Sequence, residues 1–397
     1  MKDGPIAIFL LIDAMGWEYV KSAGIIDKYS DLTGNEVRTV LGYSSAAVPT
    51  ILTGKCPDEH GRWNLLRYSP STSPFAWTRF LKCIPETFLA NRYAHKLITI
   101  VSKRLAQADG YFSTFELPVR QLKLFDVCET RNIYKPGGIS ECKSVFDHFV
   151  ENKVPYRAYS YHDGDDETLL NRAQTDIRDG TEAVYFLYLA GYDAYLHDNC
   201  HDVPRVCARL EWYFQRLYQL VHSARQRATD VRFFVFSDHG MTPVQIKYDL
   251  IGGLRNAGIG PEGNYLAVFD STMARFWFSD EQMRDKVSSF LRECIAGRIL
   301  TDEELKHLRV YFPDRRYGEL IFLMNPGVLI YPSFFGSYAP AGMHGYHPDD
   351  PHSSGAFLSN VREYAPSENR NIFSIIVREA LYAARAGQNS TSAQESL

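Results

Sequence analysis

The chain has 397 residues and a hydrophobic fraction of 45%, so it can bury a sizeable core. Its formal net charge of −4 gives no reason to expect a nucleic acid polymer as partner. Its apolar runs are too short to cross a bilayer, and no cleavage site of small residues follows the first one, Ile6–Ile12. The seven cysteines are scattered without a C-x-x-C pair. We therefore expect reduced thiols, a cytoplasmic location and no transmembrane segment, and we leave the oligomeric state open.

Strands and helices are predicted to alternate along most of the chain. The apolar segment 6–12 predicts a buried strand, and helical spacing follows through residue 26. A second strand is expected at 37–41, and a short helix ended by a glycine is expected at 49–54. Farther on, the predicted elements are a helix near 140–152, a strand at 154–160, a strand at 184–190, a helix at about 203–229 and a strand at 231–237. This alternation predicts an α/β fold with a doubly wound, mostly parallel sheet and helices on both faces.

Two excursions from this sheet are expected within a single domain over residues 1–385. Residues 66–138 are predicted to form a helical insertion that resembles a cap, and residues 245–335 a smaller α+β subdomain. The polar tail, 386–397, is predicted to be disordered.

The first part of the insertion is strongly basic. Between Arg67 and Ala108 there are seven basic residues and one acidic residue, Glu86, with apolar residues interleaved. Such a segment can contact an anionic substrate or a membrane surface, but it can also be an ordinary solvated helix face. Peripheral membrane contact through 67–104 therefore stands as one of two interpretations.

Two adjacent hydroxyls, Ser44 and Ser45, stand where a predicted strand gives way to a helix. The free N–H groups and the dipole of a helix N-terminus favour negative charge, such as a serine alkoxide or a phosphate oxygen. Serine is also a good helix cap, so capping is the alternative. Because Pro49 lacks the N–H that a regular helix would use, we expect the turn to be irregular through Val48.

Acidic residues and histidines follow three of the predicted strands. Asp13 follows the first, Asp193 and His197 follow segment 184–190, and Asp238 and His239 follow segment 231–237. The carboxyl ends of strands in a doubly wound sheet share one edge, so these residues are expected to converge.

The spacing of these residues suits metal binding. Asp193 and His197 are four apart, so one helical turn places them on the same face. Asp238 and His239 are adjacent, so the strand must end there, and Gly240 is placed to allow the turn. His344, between two glycines, is a further candidate. Each residue alone has a simpler explanation as a cap or a surface group, but together they suit two borderline cations, zinc before manganese, with Ser44 or Ser45 as the nucleophile.

The ordered set of motifs resembles a known group of enzymes. The motifs are Asp13, the Ser44 turn with TGKCPDEHG, D-x-x-x-H at 193–197, SDHGM at 237–241 and GMHGY at 342–346. They resemble the alkaline phosphatase superfamily, most closely its nucleotide pyrophosphatase/phosphodiesterase (type I phosphodiesterase) branch, over about residues 6–360.

This resemblance implies an alkaline phosphatase-like fold and roles for individual residues. One cation would be held by Asp193, His197 and His344, and the other by Asp13, Asp238 and His239. Counting back from Thr53-Gly54 places the nucleophile on Ser44, where a covalent phosphoserine would form and then be hydrolysed.

The sequence differs from related enzyme patterns at two points, and both bear on the function. Ser44 is not followed by the x-Pro-x-Arg of sulfatases, which excludes that class. The asparagine expected three residues after the nucleophile to bind a phosphoryl oxygen is Ala47 here, so the group that replaces it is left open. We predict a metal-dependent hydrolase of small, lipid-linked or glycan-linked phosphodiesters or pyrophosphates; the alternatives are a phosphomonoesterase, a phosphotransferase, or a metal-bound binding protein with degenerate activity.

Overall fold

A computed structural model describes residues 4–89, 91–260, 265–336 and 338–394. The strands are β1 (Ile6–Ile12), β2 (Thr33–Val37), β3 (Leu66–Tyr68), β4 (Phe125–Val127), β5 (Tyr156–Tyr159), β6 (Val184–Leu189), β7 (Val231–Phe236), β8 (Thr242–Pro243), β9 (Ile246–Tyr248), β10 (Tyr265–Phe269), β11 (Met273–Phe278), β12 (Gly297–Ile299), β13 (Leu320–Met324), β14 (Val328–Ile330), β15 (Gly342–Met343) and β16 (Gly355–Ser359). The α-helices are α1 (Trp17–Ser22), α2 (Ile25–Lys28), α3 (Ser44–Thr53), α4 (Pro57–His60), α5 (Glu86–Leu89), α6 (Arg92–Leu105), α7 (Val119–Leu122), α8 (Val145–Glu151), α9 (Asp166–Asp179), α10 (Gly191–Asn199), α11 (Val203–Arg227), α12 (Leu250–Asn256), α13 (Glu281–Glu293), α14 (Asp302–His307) and α15 (Ile372–Gln394). Short 3-10 helices lie at Ala76–Leu81, Pro351–Ser353 and Asn369–Asn371.

The main sheet has six strands in the order β2-β16-β7-β1-β6-β5. Strands β5, β6, β1 and β7 are parallel, whereas β16 runs antiparallel to β7 and to the edge strand β2. The predicted doubly wound, mostly parallel sheet is therefore confirmed.

Strand β1 explains why helices cover both faces of this sheet. Its residues alternate between two cores: Ile8 and Leu10 pack with residues of α9 and α11, while Phe9 and Leu11 pack with residues of α8 and α15. A strand buried on both sides has no polar face, which accounts for its continuous apolar run.

The segments for which the sequence predicts excursions have their own small sheets. Residues 245–335 contain a four-stranded antiparallel sheet, β10-β11-β13-β12, together with α12, α13 and α14. Residues 66–138 contain the β3-β4 pair and mostly helices, and their apolar cluster includes Val268 and Trp277 of the second sheet. The division into subdomains stays a prediction.

Two local predictions near the site are wrong. The second strand covers 33–37 rather than 37–41, because an edge strand needs little burial and the polar TGNEV segment suffices to pair with β16. Helix α3 is regular from Ser44 and contains Pro49, so the turn is not irregular through Val48. Proline is tolerated there because its missing N–H would have served only the carbonyl of Ser45, close to the open end of the helix.

The C-terminal helix α15 also differs from its prediction. Its backbone continues to Gln394, so residues 386–394 are helical although the sequence predicts a disordered tail from residue 386. No proline stops the helix there. Residues 395–397 of the predicted tail lie outside the described residues. Within the described part of the chain, no helix is long and apolar enough to cross a membrane.

Candidate active site

Ser44 occupies the first position of helix α3, and its hydroxyl does not cap that helix. The flanking residue, Tyr43, is extended and makes no side-chain cap. Ser44 Oγ lies 3.0 Å from His239 Nε2, whereas Ser45 Oγ donates a hydrogen bond to the Trp63 carbonyl at 3.0 Å. Capping is therefore the wrong interpretation for Ser44. Of the two hydroxyls, that of Ser44 points toward His239, whereas that of Ser45 is engaged in a hydrogen bond to the Trp63 carbonyl.

Asp13 and Asp238 follow neighbouring parallel strands and meet at one sheet edge, as the topology predicts. The Ala14 amide donates to Asp238 Oδ1 at 3.3 Å, and the Tyr188 hydroxyl donates to Asp13 Oδ2. The other oxygens, Asp13 Oδ1 and Asp238 Oδ2, are buried and have no hydrogen-bond partner among the described residues. His239 Nε2 lies 3.5 Å from Asp13 Oδ1 and 3.2 Å from Asp238 Oδ2.

Helix α10 brings Asp193 and His197 to one face, as their spacing predicts. His197 Nε2 lies 3.3 Å from Asp193 Oδ2, and its Nδ1 is 2.8 Å from the Gly342 carbonyl. His344 reaches the same place from its loop, with Nε2 at 3.5 Å from Asp193 Oδ1. The His344 ring stacks on the ring of His239 with centroids 4.0 Å apart.

Backbone carbonyls orient two of the histidines. The Gly342 carbonyl holds Nδ1 of His197, and the Gly240 carbonyl lies 2.9 Å from Nδ1 of His239. A hydrogen bond of this kind fixes the proton on Nδ1 and leaves Nε2 free to act as a ligand. In both residues Nε2 is the atom that faces the carboxylates.

All six predicted ligands are thus brought together, with one difference in grouping. Two sets of three have ligand atoms within 4.8 Å of one another: one is Asp193, His197 and His344, and the other is Asp13, Asp193 and His239. Asp193 belongs to both sets, whereas Asp238 belongs to neither and reaches the cluster through His239, whose Nε2 lies 3.2 Å from Asp238 Oδ2.

The electrostatics of the cluster suit positive charge. Burial, then the neighbouring Asp238 and Asp193, raises the pKa of Asp13 well above its ordinary value. Burial would raise the pKa of Asp193 too, but His197 and His344 outweigh it and lower that pKa. Although burial opposes it, Asp193 raises the pKa of His197 to about 9. Crowded carboxylates with unpartnered oxygens are the arrangement that a bound cation stabilises.

The loops that carry the ligands are in direct backbone contact. A Cβ on Gly240 would lie 2.2 Å from the His352 carbonyl oxygen, and one on Gly16 would lie 3.0 Å from the Cα of Gly240. The φ of Gly240 is not in the left-handed region, so glycine is needed for close approach rather than for the predicted turn.

A cavity of about 490 Å³ opens beside Ser44. Its wall includes seven tyrosine and phenylalanine side chains, among them Tyr111, Phe115, Tyr134 and Tyr161, and among the described residues that line it there is no arginine or lysine. Besides the tyrosines, three polar wall residues were missed by the sequence reasoning: Asn64, Glu129 and Asp270, of which Asp270 is paired with Arg275 at 2.7 Å.

Asn64, not position 47, places an amide in the wall of the cavity that opens beside Ser44. Ala47 is fully buried inside α3 and does not line the cavity. Asn64 does line it, and its buried Oδ1 has no hydrogen-bond partner in the described chain, while its Nδ2 contacts Met273 Sδ at 3.5 Å. No sequence signal marks this residue, because it stands alone 20 positions after Ser44.

Glu129 is a buried carboxylate in the same wall. The Tyr161 hydroxyl lies 3.5 Å from its Oε1, and no basic side chain that the structure describes forms an ion pair with it. Burial raises the pKa of Glu129 to about 7, although Arg62 opposes the shift.

Comparison with known proteins agrees with this geometry. A sequence profile of the type I phosphodiesterase/nucleotide pyrophosphatase family matches residues 7–347. No curated protein matches the chain. Murine ectonucleotide pyrophosphatase/phosphodiesterase 5 has a TM-score of 0.63 at 15% identity, with 94% of this chain and 95% of that chain covered. Phosphonoacetate hydrolase from Sinorhizobium meliloti, solved with phosphonoacetate, has a TM-score of 0.64 at 13% identity, with 95% and 96% covered.

At such identities the solved structures establish the alkaline phosphatase-like fold, whereas the profile spans most of the chain and establishes the family. The family resemblance inferred from the motifs is confirmed. The chain belongs to the type I phosphodiesterase/nucleotide pyrophosphatase family and is a hydrolase of phosphoric ester bonds.

Proposed function

We propose that this hydrolase cleaves phosphodiesters or pyrophosphates through a covalent phosphoserine on Ser44. The observation that carries the proposal is the position of Ser44 Oγ, 3.0 Å from His239 Nε2 at the edge of a cluster of three aspartates and three histidines. In the proposed reaction Ser44 Oγ bonds to phosphorus, the bond to the leaving group breaks, and water later releases the phosphoryl group.

The cluster fits two divalent cations, zinc before manganese. The unpartnered oxygens of Asp13, Asp193 and Asp238 support this assignment. Asp193, His197 and His344 would hold one cation, and Asp13, Asp238 and His239 the other. When bound, such a pair stabilises the charge on the attacking and leaving oxygens.

The cavity wall favours a diester over a monoester. A monoester dianion calls for a cationic side chain on its phosphoryl oxygens, as arginine provides by bidentate contact. The described wall offers the neutral amide of Asn64 instead, which suits the single charge of a diester. The part of the cavity lined by tyrosines and phenylalanines has room for the second ester group of a diester. That group could be the lipid or the glycan of a lipid-linked or glycan-linked substrate.

Replacing the two hydroxyls separately tests the nucleophile. Ser44→Ala should abolish hydrolysis of bis(p-nitrophenyl) phosphate while the metal content stays intact, and Ser45→Ala is the matched control that should retain activity. Undiminished turnover in Ser44→Ala with metals bound would contradict the proposal. The murine neighbour offers a parallel, since its inactive form, solved with AMP, has a threonine changed to alanine.

Two alternatives within the same chemistry have their own tests. A phosphomonoesterase would prefer p-nitrophenyl phosphate to the diester under the same conditions. A phosphotransferase would give a phosphorylated alcohol when alcohols are added to the assay. Because the family consists of hydrolases, we do not retain the expectation of a binding protein without turnover.

We also keep the cytoplasm as the proposed location. All seven cysteines are free, which suits a reducing compartment. Fractionation of the native cells would test it, and recovery of the protein outside the cytoplasm would contradict it.

A further inference from the structure

Helix α6 of the insertion presents its apolar side outward. Its buried positions are His95, Ile98 and Ser102, whereas Tyr93 and Leu97 are 69% and 62% exposed. An ordinary surface helix of a globular protein does the reverse, with its apolar stripe against the core.

Hydrogen bonds fix this orientation. The Trp77 ring N–H donates to Ser102 Oγ at 2.9 Å, and the hydroxyls of Thr99 and Thr114 are 3.1 Å apart. His95 Nδ1 lies 3.2 Å from the same Thr114 hydroxyl. Rotating the helix about its axis would break these hydrogen bonds, each of which contributes about 1 kcal/mol.

The exposed apolar residues are concentrated in this part of the chain. Of the 15 large hydrophobic residues that are exposed in the described part of the chain, seven fall between positions 80 and 105. We call these seven the docking face: Phe80, Ile84, Phe88, Tyr93, Leu97, Ile100 and Leu105. Exposed apolar residues that are this frequent in one segment are typical of a surface that binds a partner or a membrane.

Positive charge surrounds the docking face. Within the segment that contains the docking face, the exposed basic residues are Arg79, Lys82, Arg92, Lys96 and Arg104. None of them forms an ion pair with an acidic side chain that the structure describes; two instead lie over aromatic rings of the docking face, Arg79 on Phe80 and Arg92 on Tyr93, each at 4.9 Å. Their charge therefore remains available to an anionic partner.

We propose that the docking face binds the surface of an anionic lipid bilayer. Aromatic and aliphatic tips among lysines and arginines match the interfacial region, where apolar groups insert and cations contact the headgroups. A second copy of the chain is a poorer occupant, because an isologous contact would place the same cations against each other.

The docking face is joined to the cavity wall. Thr114, which packs on the inner side of α6, lies in the segment that supplies Tyr111 and Phe115 to the cavity. Docking would thus bring the cavity wall close to the bilayer and favour a lipid-linked phosphoester. Only this consequence rests on the proposed function; the docking itself does not.

Sedimentation of the full chain with lipid vesicles tests the proposal. The wild type should pellet with phosphatidylcholine vesicles that contain phosphatidylserine and should be released by high salt. The triple change Arg92→Glu, Lys96→Glu and Arg104→Glu should lower the partition coefficient by at least about a hundredfold, which is the effect expected for the loss of three cations alone near an anionic surface. Leu97→Asp with Ile100→Asp should weaken binding to the same vesicles through loss of insertion.

Matched controls lie elsewhere on the surface. Arg178→Glu, Lys286→Glu and Arg378→Glu reverse the same number of exposed charges, and Ile246→Asp with Ile295→Asp changes exposed apolar residues outside the docking face. Both sets should bind like the wild type, except for a small general effect of net charge. Thermal melting and hydrolysis of a soluble aryl diester confirm that every variant is folded, and they separate failure of docking from failure of the proposed activity.

Three results would overturn the proposal. The first is a wild type that does not pellet with phosphatidylserine vesicles, or control variants that lose as much binding as the docking-face variants. The second is a dimer in the absence of lipid that the docking-face variants convert to a monomer, which would assign the face to a second copy. The third is binding to polyglutamate without binding to vesicles, which would assign the face to an acidic protein.

Discussion

Helices α11 and α6 are both amphipathic, but they face the protein with opposite sides. Helix α11 of the main sheet buries Leu210, Phe214 and Leu217, whereas α6 of the insertion buries His95, Ser102 and one large apolar residue, Ile98. The difference shows that periodicity predicts the existence of a helix, while the surface it packs on decides which side is buried. The two helices also belong to regions with different roles. The main sheet carries the candidate metal ligands, whereas the insertion exposes apolar side chains to solvent.

The largest effect is expected in the body, at Asp193. Asp193→Ala removes the carboxylate common to both sets of candidate ligands, so kcat/KM for an aryl diester should fall by about a thousandfold or more, the scale for losing a central catalytic group. Metal content measured by emission spectroscopy should fall as well. Asp198→Ala, on the same helix, is the matched control and should keep both. A variant at Asp193 that retains both cations would refute the shared role.

A pair of leucine substitutions tests the comparison of the two helices directly. Leu210→Ala leaves a cavity in the main core and should lower the free energy of unfolding by about 2–5 kcal/mol. Leu97→Ala removes an exposed side chain and should change it by no more than about 0.5 kcal/mol. Urea denaturation of both variants measures the difference. Equal losses would mean that α6 buries Leu97 and that the two helices do not differ.

Glu129, at the border between the insertion and the cavity, gives a pH-dependent effect. Burial raises its pKa to about 7 from an ordinary value of 4.5. Between these values the folded protein holds a proton that the unfolded chain has lost, so the free energy of unfolding should fall as pH rises from 4.5 to about 7 and then level off.

Glu129→Gln should remove this part of the pH dependence. Above pH 7 the variant should be more stable than the wild type by roughly 3.5 kcal/mol, since one pKa unit corresponds to about 1.4 kcal/mol. Denaturation curves at several pH values would test this. Parallel pH profiles of the two proteins would show that the ionisation of Glu129 does not oppose folding.

The smallest effect is expected on the polar inner side of α6. Ser102→Ala leaves the ring N–H of Trp77 without its acceptor and should cost about 1 kcal/mol. Ser22→Ala, at an exposed position, is the control and should cost less. A change at Ser102 no larger than at Ser22 would indicate that apolar contacts, rather than hydrogen bonds, hold the helix in place.

Much of the fold could be predicted because the signals are local. Continuous apolar runs predict the buried strands. The six candidate ligands follow the ends of these strands or lie next to glycines. Strand β2 could not be placed, because an edge strand has no strong pattern. The inward side of α6 could not be predicted either, since it depends on Trp77 and Thr114 in other parts of the insertion.

The polar residues of the cavity wall were beyond sequence reasoning for a related cause. Asn64 and Glu129 belong to no motif, and they line the cavity beside Ser44 only because distant segments of the chain fold together. The sequence left open which group replaces the asparagine at position 47, and Ala47 itself is buried within α3 away from the cavity. Such positions depend on contacts between distant segments, which residue spacing within one segment cannot predict.

The backbone contact between Gly16 and Gly240 has a consequence for metal binding. Because the loops that carry Asp13 and Asp238 touch through glycines, the separation of the two loops is fixed by backbone packing. If these carboxylates hold cations as proposed, their spacing is set by the fold, and the site would favour ions of matching radius. A methyl group at Gly240 would lie 2.2 Å from the His352 carbonyl oxygen, so it would push the loops apart and should lower both the stability of the fold and the affinity for metal.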